Sequence, residues 1–273
     1  MLIASGEERI ISWHNSLLRG EDGNIVGTLS SGEDITEMVR YRDELEELNL
    51  DLRQFASTLS HDLKSPLGNA YGWAVTFQRM YGDKLDENGR VALDSMVRSL
   101  REMDTLVEGM LSYVSIGREK PELEEMDLTT LIKGLVDEMR ENGELIGADV
   151  KIKERMGKVR CDRVRMRQAV KNLIGNASKF RHPRRALVME IGIMKSPAEE
   201  ALFVRDNGLG IHREDLERLF APLERGANTQ GIPGHGLGLA IVKRAVESWG
   251  GRVWVESEPD QGTTFYLSLP RDR

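Results

Sequence analysis

The sequence predicts an α+β chain of several domains: a short β remnant, a coiled-coil linker, an antiparallel helical hairpin that dimerises into a four-helix bundle, and a C-terminal α/β sandwich. Three observations carry this. The 273 residues, 40% of them hydrophobic, suffice for one large packed domain or two smaller ones. From about Glu37 to Val114 apolar residues recur at steps of three and four, the mark of long amphipathic helices. Beyond about residue 125, helix-like and strand-like runs alternate, as in a layered sandwich.

Composition narrows the function. A formal charge of −7 speaks against general nucleic-acid binding and requires a local positive patch for any anionic ligand. "RHPRR", residues 181–185, reads as such a patch or as plain surface. One cysteine, Cys161, allows no internal disulfide, as expected in a reducing cytosol. No apolar run approaches the roughly 18–20 residues of a membrane span, and "MLIAS" is too short for a signal-peptide core. A cytoplasmic chain without a membrane segment is expected.

Within residues 1–36, "RIISWHNSLL" and "NIVGTLSSG" read as strands joined by the hairpin residues "EDGN". Over 37–58, Met38, Tyr41, Leu45, Leu48, Leu52 and Phe55 form a coiled-coil seam that reaches Leu59, with charged residues between them. The steps Phe55–Leu59–Leu63 are four and four, a stutter that locally relaxes a supercoil. Residues 59–118 contain two amphipathic helices around the turn "YGDKLDENG". Pro66 interrupts the first and predicts a bend, because it has no N–H for the Asp62 carbonyl. Each helix shows an apolar stripe too wide for the other to cover, so a homodimeric four-helix bundle is expected.

Residues 119–273 open on a polar linker, "GREKPELEE" near 117–125. Helices are expected at "DLTTLIKGLVDEMREN", with Thr129 or Thr130 near its cap, and at "DRVRMRQAVKNLIGNASKF", with Asp162 as its cap. A short helix at "REDLERLF" and a longer one at "LGLAIVKRAVESWGG" follow. Strands are expected at "ADVKIKERM", "LVMEIGIM", "EALFVRDNG", "RVWVESEP" and "TTFYLSLP".

Three stretches of this last region carry chemistry. In "VRDNGLGI", Asp206 can accept a hydrogen bond from an exocyclic amine, and Gly208 and Gly210 let backbone pass close to a ligand. "GIPGHGLGLAIVKRAV" runs a glycine-rich loop, with Gly234, Gly236 and Gly238, into a helix start whose N–H groups favour phosphate; the Walker lysine is absent. In "QAVKNLIGNASKF", Asn172 and Asn176 share a helix face. An amide oxygen suits Mg²⁺ that also binds substrate phosphates. Lys179 can answer phosphate charge and Phe180 can stack on a base. Singly, each is equally an ordinary strand–turn junction, a bare loop or a polar helix face. The three together, in this order and on these elements, are far less expected by chance than any one of them.

With these motifs in place, the region from about 121 to 270 resembles the ATP-binding domain of sensor histidine kinases, of the GHKL ATPase type. "NLIGNASKF" resembles the family's asparagine box, "DNGLGI" and "GHGLGLAI" its glycine boxes, and "FAPLERG" its phenylalanine box. "SHDLKSPL" is similar to the phospho-accepting histidine box, and the first strands resemble the C-terminal end of a PAS sensor domain. The resemblance implies ATP and Mg²⁺, with Asn176 as the metal ligand and Asn172 a supporting ligand or neighbour. It implies Lys179 at the phosphates, Phe180 near the adenine and Asp206 on its amine. The five glycines shape the pocket and its lid, residues 221–237, which Phe220 and Arg225 help to close. Leu223 and His235 depart from the commoner residues of these boxes.

The resemblance makes His61 the nucleophile, with an aspartate on a response-regulator receiver domain as the next acceptor. A neutral imidazole offers a lone pair, since histidine ordinarily titrates at about 6.5. A carboxylate on the other ring nitrogen fixes the tautomer, and Asp62 is the candidate. Neighbours in sequence do not share a helix face, so the pair requires a bend at Pro66 or a swung rotamer. Ser65 stands where dephosphorylating relatives carry threonine or asparagine, and its hydroxyl can orient a water. Two rivals stay open: an ATP-operated clamp without phosphotransfer, and a signalling scaffold with a dead nucleotide site.

Overall fold

A computed structural model describes residues 8–116, 121–196, 199–224, 226, 232 and 234–270. The chain divides into two compact units between Ala56 and Ser57.

In the first unit, strands β1 (Ile11–Arg19) and β2 (Ile25–Asp34) form an antiparallel hairpin with Trp13 opposite Gly32. The turn closes through Gly20 N–H to the Asn24 carbonyl, and Gly23 takes φ 75°, where a side chain would be strained. The Asp34 carboxylate accepts from both the amide and the hydroxyl of Thr36, and Ile10 N–H donates to Thr36 Oγ1. These bonds fasten the hairpin to the start of helix α1 (Thr36–Tyr81). The predicted seam lies along this helix, with Met38, Tyr41, Leu45, Leu48, Leu52 and Phe55 all exposed.

In the second unit α1 runs through Pro66 as one uninterrupted helix. A single 3₁₀ turn (Gly82–Lys84) leads to α2 (Glu87–Ser115), whose first turn is capped by Asp86 accepting from Gly89 N–H at 2.8 Å. The hairpin is held by Ala74, Leu93 and Val97, by Gln78 donating to Asp94, and by Arg101 donating to the Tyr71 hydroxyl. On its other side Trp73, Phe77, Met80, Met96, Met103 and Met110 are exposed.

The C-terminal region is a five-stranded sheet in the order β4-β6-β7-β9-β8, with β4 parallel to β6 and the remaining pairs antiparallel. Its strands are β4 (Asp149–Ile152), β6 (Val188–Lys195), β7 (Glu200–Asp206), β8 (Val253–Glu258) and β9 (Gly262–Ser268). Helices α3 (Leu128–Glu141), α4 (Arg163–Lys179) and α5 (Gly238–Ser248) cover one face, since Leu135, Leu173 and Ile241 share a buried core with Ile191, Leu202, Val204 and Leu267. The intervening strand residues, Ala201, Phe203 and Tyr266, point to the opposite face and pack with Trp254. This is the expected sandwich.

Two local expectations are corrected and one is refined. The polar linker is in part a strand, β3 (Leu123–Asp127), which pairs antiparallel with an unforeseen strand β5 (Lys158–Asp162). Only Leu123 and Met126 are apolar in β3, too few to reveal a period of two. Helix α3 is capped by Asp127, which accepts from Thr130 N–H at 2.7 Å, while Thr129 Oγ1 accepts from Met156 N–H. "REDLERLF" forms only a 3₁₀ turn (Arg213–Asp215) followed by further turns. The expected boundary between residues 118 and 119 lies outside the described residues.

Candidate functional site

The site grows from the end of α4. Asp162 caps that helix by accepting from Arg165 N–H, and it also pairs with the buried Arg165 guanidinium at 3.3 Å. The anchored start fixes the register in which Asn172, Asn176 and Lys179 emerge on one face. α4 stops at Phe180, whose N–H still donates to the Asn176 carbonyl and whose own carbonyl accepts from Leu209 N–H at 3.0 Å. The asparagine-bearing helix and the "DNGLGI" loop are thereby locked together.

Between them lies a cavity of about 560 Å³, lined by Asn172, Asn176, Lys179, Phe180, Asp206, Gly210 and the loop glycines Gly234, Gly236 and Gly238. Its size is in the usual range for small-molecule sites. Asp206 ends β7 with Oδ1 accepting from the N–H groups of Gly208 at 2.7 Å and Thr263 at 3.3 Å. Burial pushes its carboxyl up to about 6, against the opposing pull of those two bonds. Asn172 Nδ2 is buried with no partner, the one such side-chain atom among the described residues. A buried donor without an acceptor is costly and marks a place where a ligand belongs. A side chain at Gly238 would lie 3.4 Å from Asn172 Oδ1 and 3.8 Å from Asn176 Oδ1, so both amide oxygens face the same glycine-lined space. Two amide oxygens beside open space fit Mg²⁺ held jointly with phosphate oxygens.

The other predicted residues differ in where they stand. Gly208 and Gly210 serve backbone packing: a Cβ would stand 2.5 Å from the Phe180 carbonyl at the first and 2.0 Å from the Glu258 carbonyl at the second. Gly234 leaves room for Lys179, whose Nζ would lie 1.9 Å from a Cβ there and sits 4.6 Å from the Phe180 ring centre. Phe220 does not line the cavity; it stands behind it, edge-on to Phe265 at 6.3 Å. Arg225 lies outside the described residues.

His61, Asp62 and Ser65 sit together on the exposed side of α1 and do not line the cavity. His61 Nδ1 is 3.4 Å from Asp62 Oδ1, so the two neighbours meet through their rotamers while the helix continues through Pro66. The imidazole is 88% exposed. A proton on Nδ1 facing the carboxylate leaves the lone pair on Nε2, pointing to solvent.

Sequence reasoning missed one wall. Thr105, Glu108 and Gly109 of α2 also line the cavity. His235 Nε2–H donates to the Glu102 carbonyl at 2.8 Å, Leu237 sits 3.2 Å from where a Gly109 Cβ would be, and Arg244 lies over the Tyr113 ring. A glycine in the middle of a strongly helical run was the available signal, because it marks a close approach.

Fold and site together define a nucleotide-binding sandwich joined to a helical hairpin that displays a histidine. Residues 51–119 match the His Kinase A (phospho-acceptor) domain, and residues 161–273 match the histidine kinase-, DNA gyrase B-, and HSP90-like ATPase. The methanogenesis regulatory histidine kinase FilI of Methanothrix harundinacea (strain 6Ac) is 32% identical over 275 residues, covering 94% of this chain and 30% of that protein. Full-length ShkA, solved in complex with AMPPNP, aligns with a TM-score of 0.62 and 25% identity over 80% of this chain and 45% of its own. The histidine kinase ThkA, solved with the response regulator protein TrrA, shares the fold at a TM-score of 0.55 and 20% identity, over 97% of this chain and 76% of its own. The chain thus carries the two domains of a two-component histidine kinase, the phospho-acceptor domain and the ATPase domain. It spans about a third of the length of the curated relatives it matches.

Proposed function

We propose that this chain is a sensor histidine kinase that autophosphorylates His61 from Mg-ATP and passes the phosphoryl group to an aspartate of a response regulator. The observation that carries the reading is one compact unit holding both an exposed imidazole oriented by a carboxylate and a nucleotide-sized cavity with a buried aspartate. Asp206 accepts the adenine amine and Phe180 packs near the ring. Lys179 meets the phosphates, and Asn176, with Asn172 beside it, would hold Mg²⁺. That ion supplies charge neutralisation at the triphosphate. Gly234, Gly236 and Gly238 give the lid its close approach, with Phe220 and Arg225 helping it to close.

Nε2 of His61 attacks the γ-phosphorus in line, and an N–P bond forms as the bond to the bridging oxygen breaks. The leaving electron pair goes to ADP, and Asp62 stabilises the cation that develops on the ring. Ser65 orients a water for a separate reaction, hydrolysis of the phosphoryl group from the phosphorylated response regulator. The exposed stripes of α1 and α2 are covered by a second copy in a four-helix bundle, and β1 and β2 are the end of a PAS-like sensor domain. No described helix is long and apolar enough to cross a membrane, and a cytoplasmic kinase core accords with that.

Incubation with γ-labelled Mg-ATP tests this. The wild-type protein takes up acid-labile, base-stable label, and His61→Gln takes up none. An ATPase that binds nucleotide without acquiring label is a clamp, and the kinase reading fails.

A further inference from the structure

One cation of the nucleotide cavity has no task in the account so far. Lys171 of α4 is half-buried and lines the cavity next to Asn172. Among the described residues it forms no hydrogen bond or ion pair. Lys171 and Lys179 are the two lysines of the described lining, which holds no arginine, whereas Glu108, Glu144, Asp215 and Glu224 bring carboxylates to it. A triphosphate entering among these carboxylates needs every cation the cavity offers. An ammonium without a protein partner has its three donors to give.

The direction of α4 decides which part of the ligand Lys171 meets. The base end of the cavity is at Phe180 and Asp206 in the reading above. Lys171 lies before Asn176 in the chain, about 7.5 Å back along the helix axis and away from Phe180. Its neighbour Asn172 stands where α5 and α2 come in. A Cβ on Gly238 would lie 3.4 Å from Asn172 Oδ1, and Leu237, adjoining Gly238, sits 3.2 Å from where a Gly109 Cβ would be. Thr105 and Glu108 line the cavity from the same α2 wall. The end of the cavity far from the base thus faces the hairpin that carries His61, and the phosphate to be transferred belongs there. The flexible stem of a lysine spans the remaining gap.

We propose that Lys171 contacts the terminal phosphate of bound ATP and so sets the preference of this site for a triphosphate over a diphosphate. This deepens the nucleotide reading above and rests on it. Lys179, directly before Phe180, serves the phosphates closer to the base, and the two ammonium groups divide the phosphate chain between them. The Lys171 contact is a charge-assisted hydrogen bond, among the stronger kinds. It exists while the terminal phosphoryl is on the nucleotide and is gone once that group has left. Specificity is a difference of affinities, and this bond is made with the substrate and not with ADP.

Calorimetric binding of AMPPNP and of ADP, each with Mg²⁺, to the full chain tests this in the wild-type protein, Lys171→Met and Lys171→Arg. Methionine keeps an unbranched apolar stem at this half-buried position, and retained ADP binding shows that the cavity is intact. Lys171→Met is expected to weaken AMPPNP about 10-fold or more and ADP by less than about twofold, while Lys171→Arg keeps most of the wild-type preference. Unchanged AMPPNP affinity in Lys171→Met, or an equal loss for both nucleotides, overturns this role and leaves the nucleotide reading standing. A wild-type protein that binds neither nucleotide overturns both. Binding is read without turnover, so the outcome is independent of label at His61.

Discussion

Asp206 shows at the scale of one residue how a binding site costs stability. Its carboxyl is raised from 3.8 to about 6 by burial, so the folded protein holds a proton between those pH values that the unfolded chain has lost. The favourable contribution is full below about pH 4 and disappears as pH rises through about 6. At neutral pH the folded state then carries an ionised, desolvated group, a penalty of up to roughly 3 kcal/mol. Asp206→Asn keeps an oxygen for the N–H groups of Gly208 and Thr263 and removes the charge. Its melting temperature is expected to exceed the wild-type value at pH 7.5 and to converge with it near pH 4. The same variant is expected to lose nucleotide affinity by about 100-fold or more. Its amide turns a donor toward the cavity, where an adenine amine also donates. Equal melting curves at pH 7.5 would remove the assigned penalty, and retained binding would remove Asp206 from the adenine contact.

At the scale of elements, the site depends on how α4, the loop after β7 and the β8–β9 turn are pressed together. Leu209 N–H donates to the Phe180 carbonyl and Asp260 N–H donates to the Leu209 carbonyl. Gly210, at φ 68°, leaves no space for a Cβ beside the Glu258 carbonyl. Gly210→Ala therefore faces both left-handed strain and a backbone collision. It is expected to destabilise the ATP-binding region by more than ~2 kcal/mol in thermal or urea unfolding. Gly134→Ala, inside α3 with open space around it, is expected to stabilise by about 0.5–1 kcal/mol, and the opposite signs form the check. The contrast also measures what was legible beforehand. Helix α4 was readable because Asp162, an apolar period and two asparagines four apart agree at one register. The glycine boxes were readable as close approaches, but not that Gly208 and Gly210 approach backbone, since their partners Phe180 and Glu258 are remote in sequence. Likewise β3 and β5 exist through their pairing with each other, and Asp127 outcompetes Thr129 as a cap because tertiary contact draws the threonine hydroxyl to Met156. The wall supplied by α2 left only Gly109 as a signal, because tertiary docking alone brings Glu108 to the cavity.

The whole molecule leaves a conspicuous amount of apolar surface on its helical hairpin. Trp73 is 76% exposed and Met80 61%, with Phe77, Met96 and Met103 beside them. Ala70, Trp73, Phe77, Met80, Leu93 and Met96 border an open cleft of about 630 Å³. Covering a tryptophan or methionine side chain is worth about 2 kcal/mol, and several such side chains exceed the cost of association. A second copy would meet the requirement with a two-fold axis, the same stripe on both partners and a four-helix core. Sedimentation equilibrium of the full chain is expected to give a dimer at micromolar concentration. Trp73→Glu with Met96→Glu places like charges on this stripe and is expected to yield monomers. ATP affinity should stay unchanged, because neither residue lines the nucleotide cavity. A monomeric wild-type protein, or a double variant that stays dimeric, would show that this stripe is covered by something other than its own copy. Loss of nucleotide binding in the double variant would show instead that the cavity depends on the hairpin's outer face.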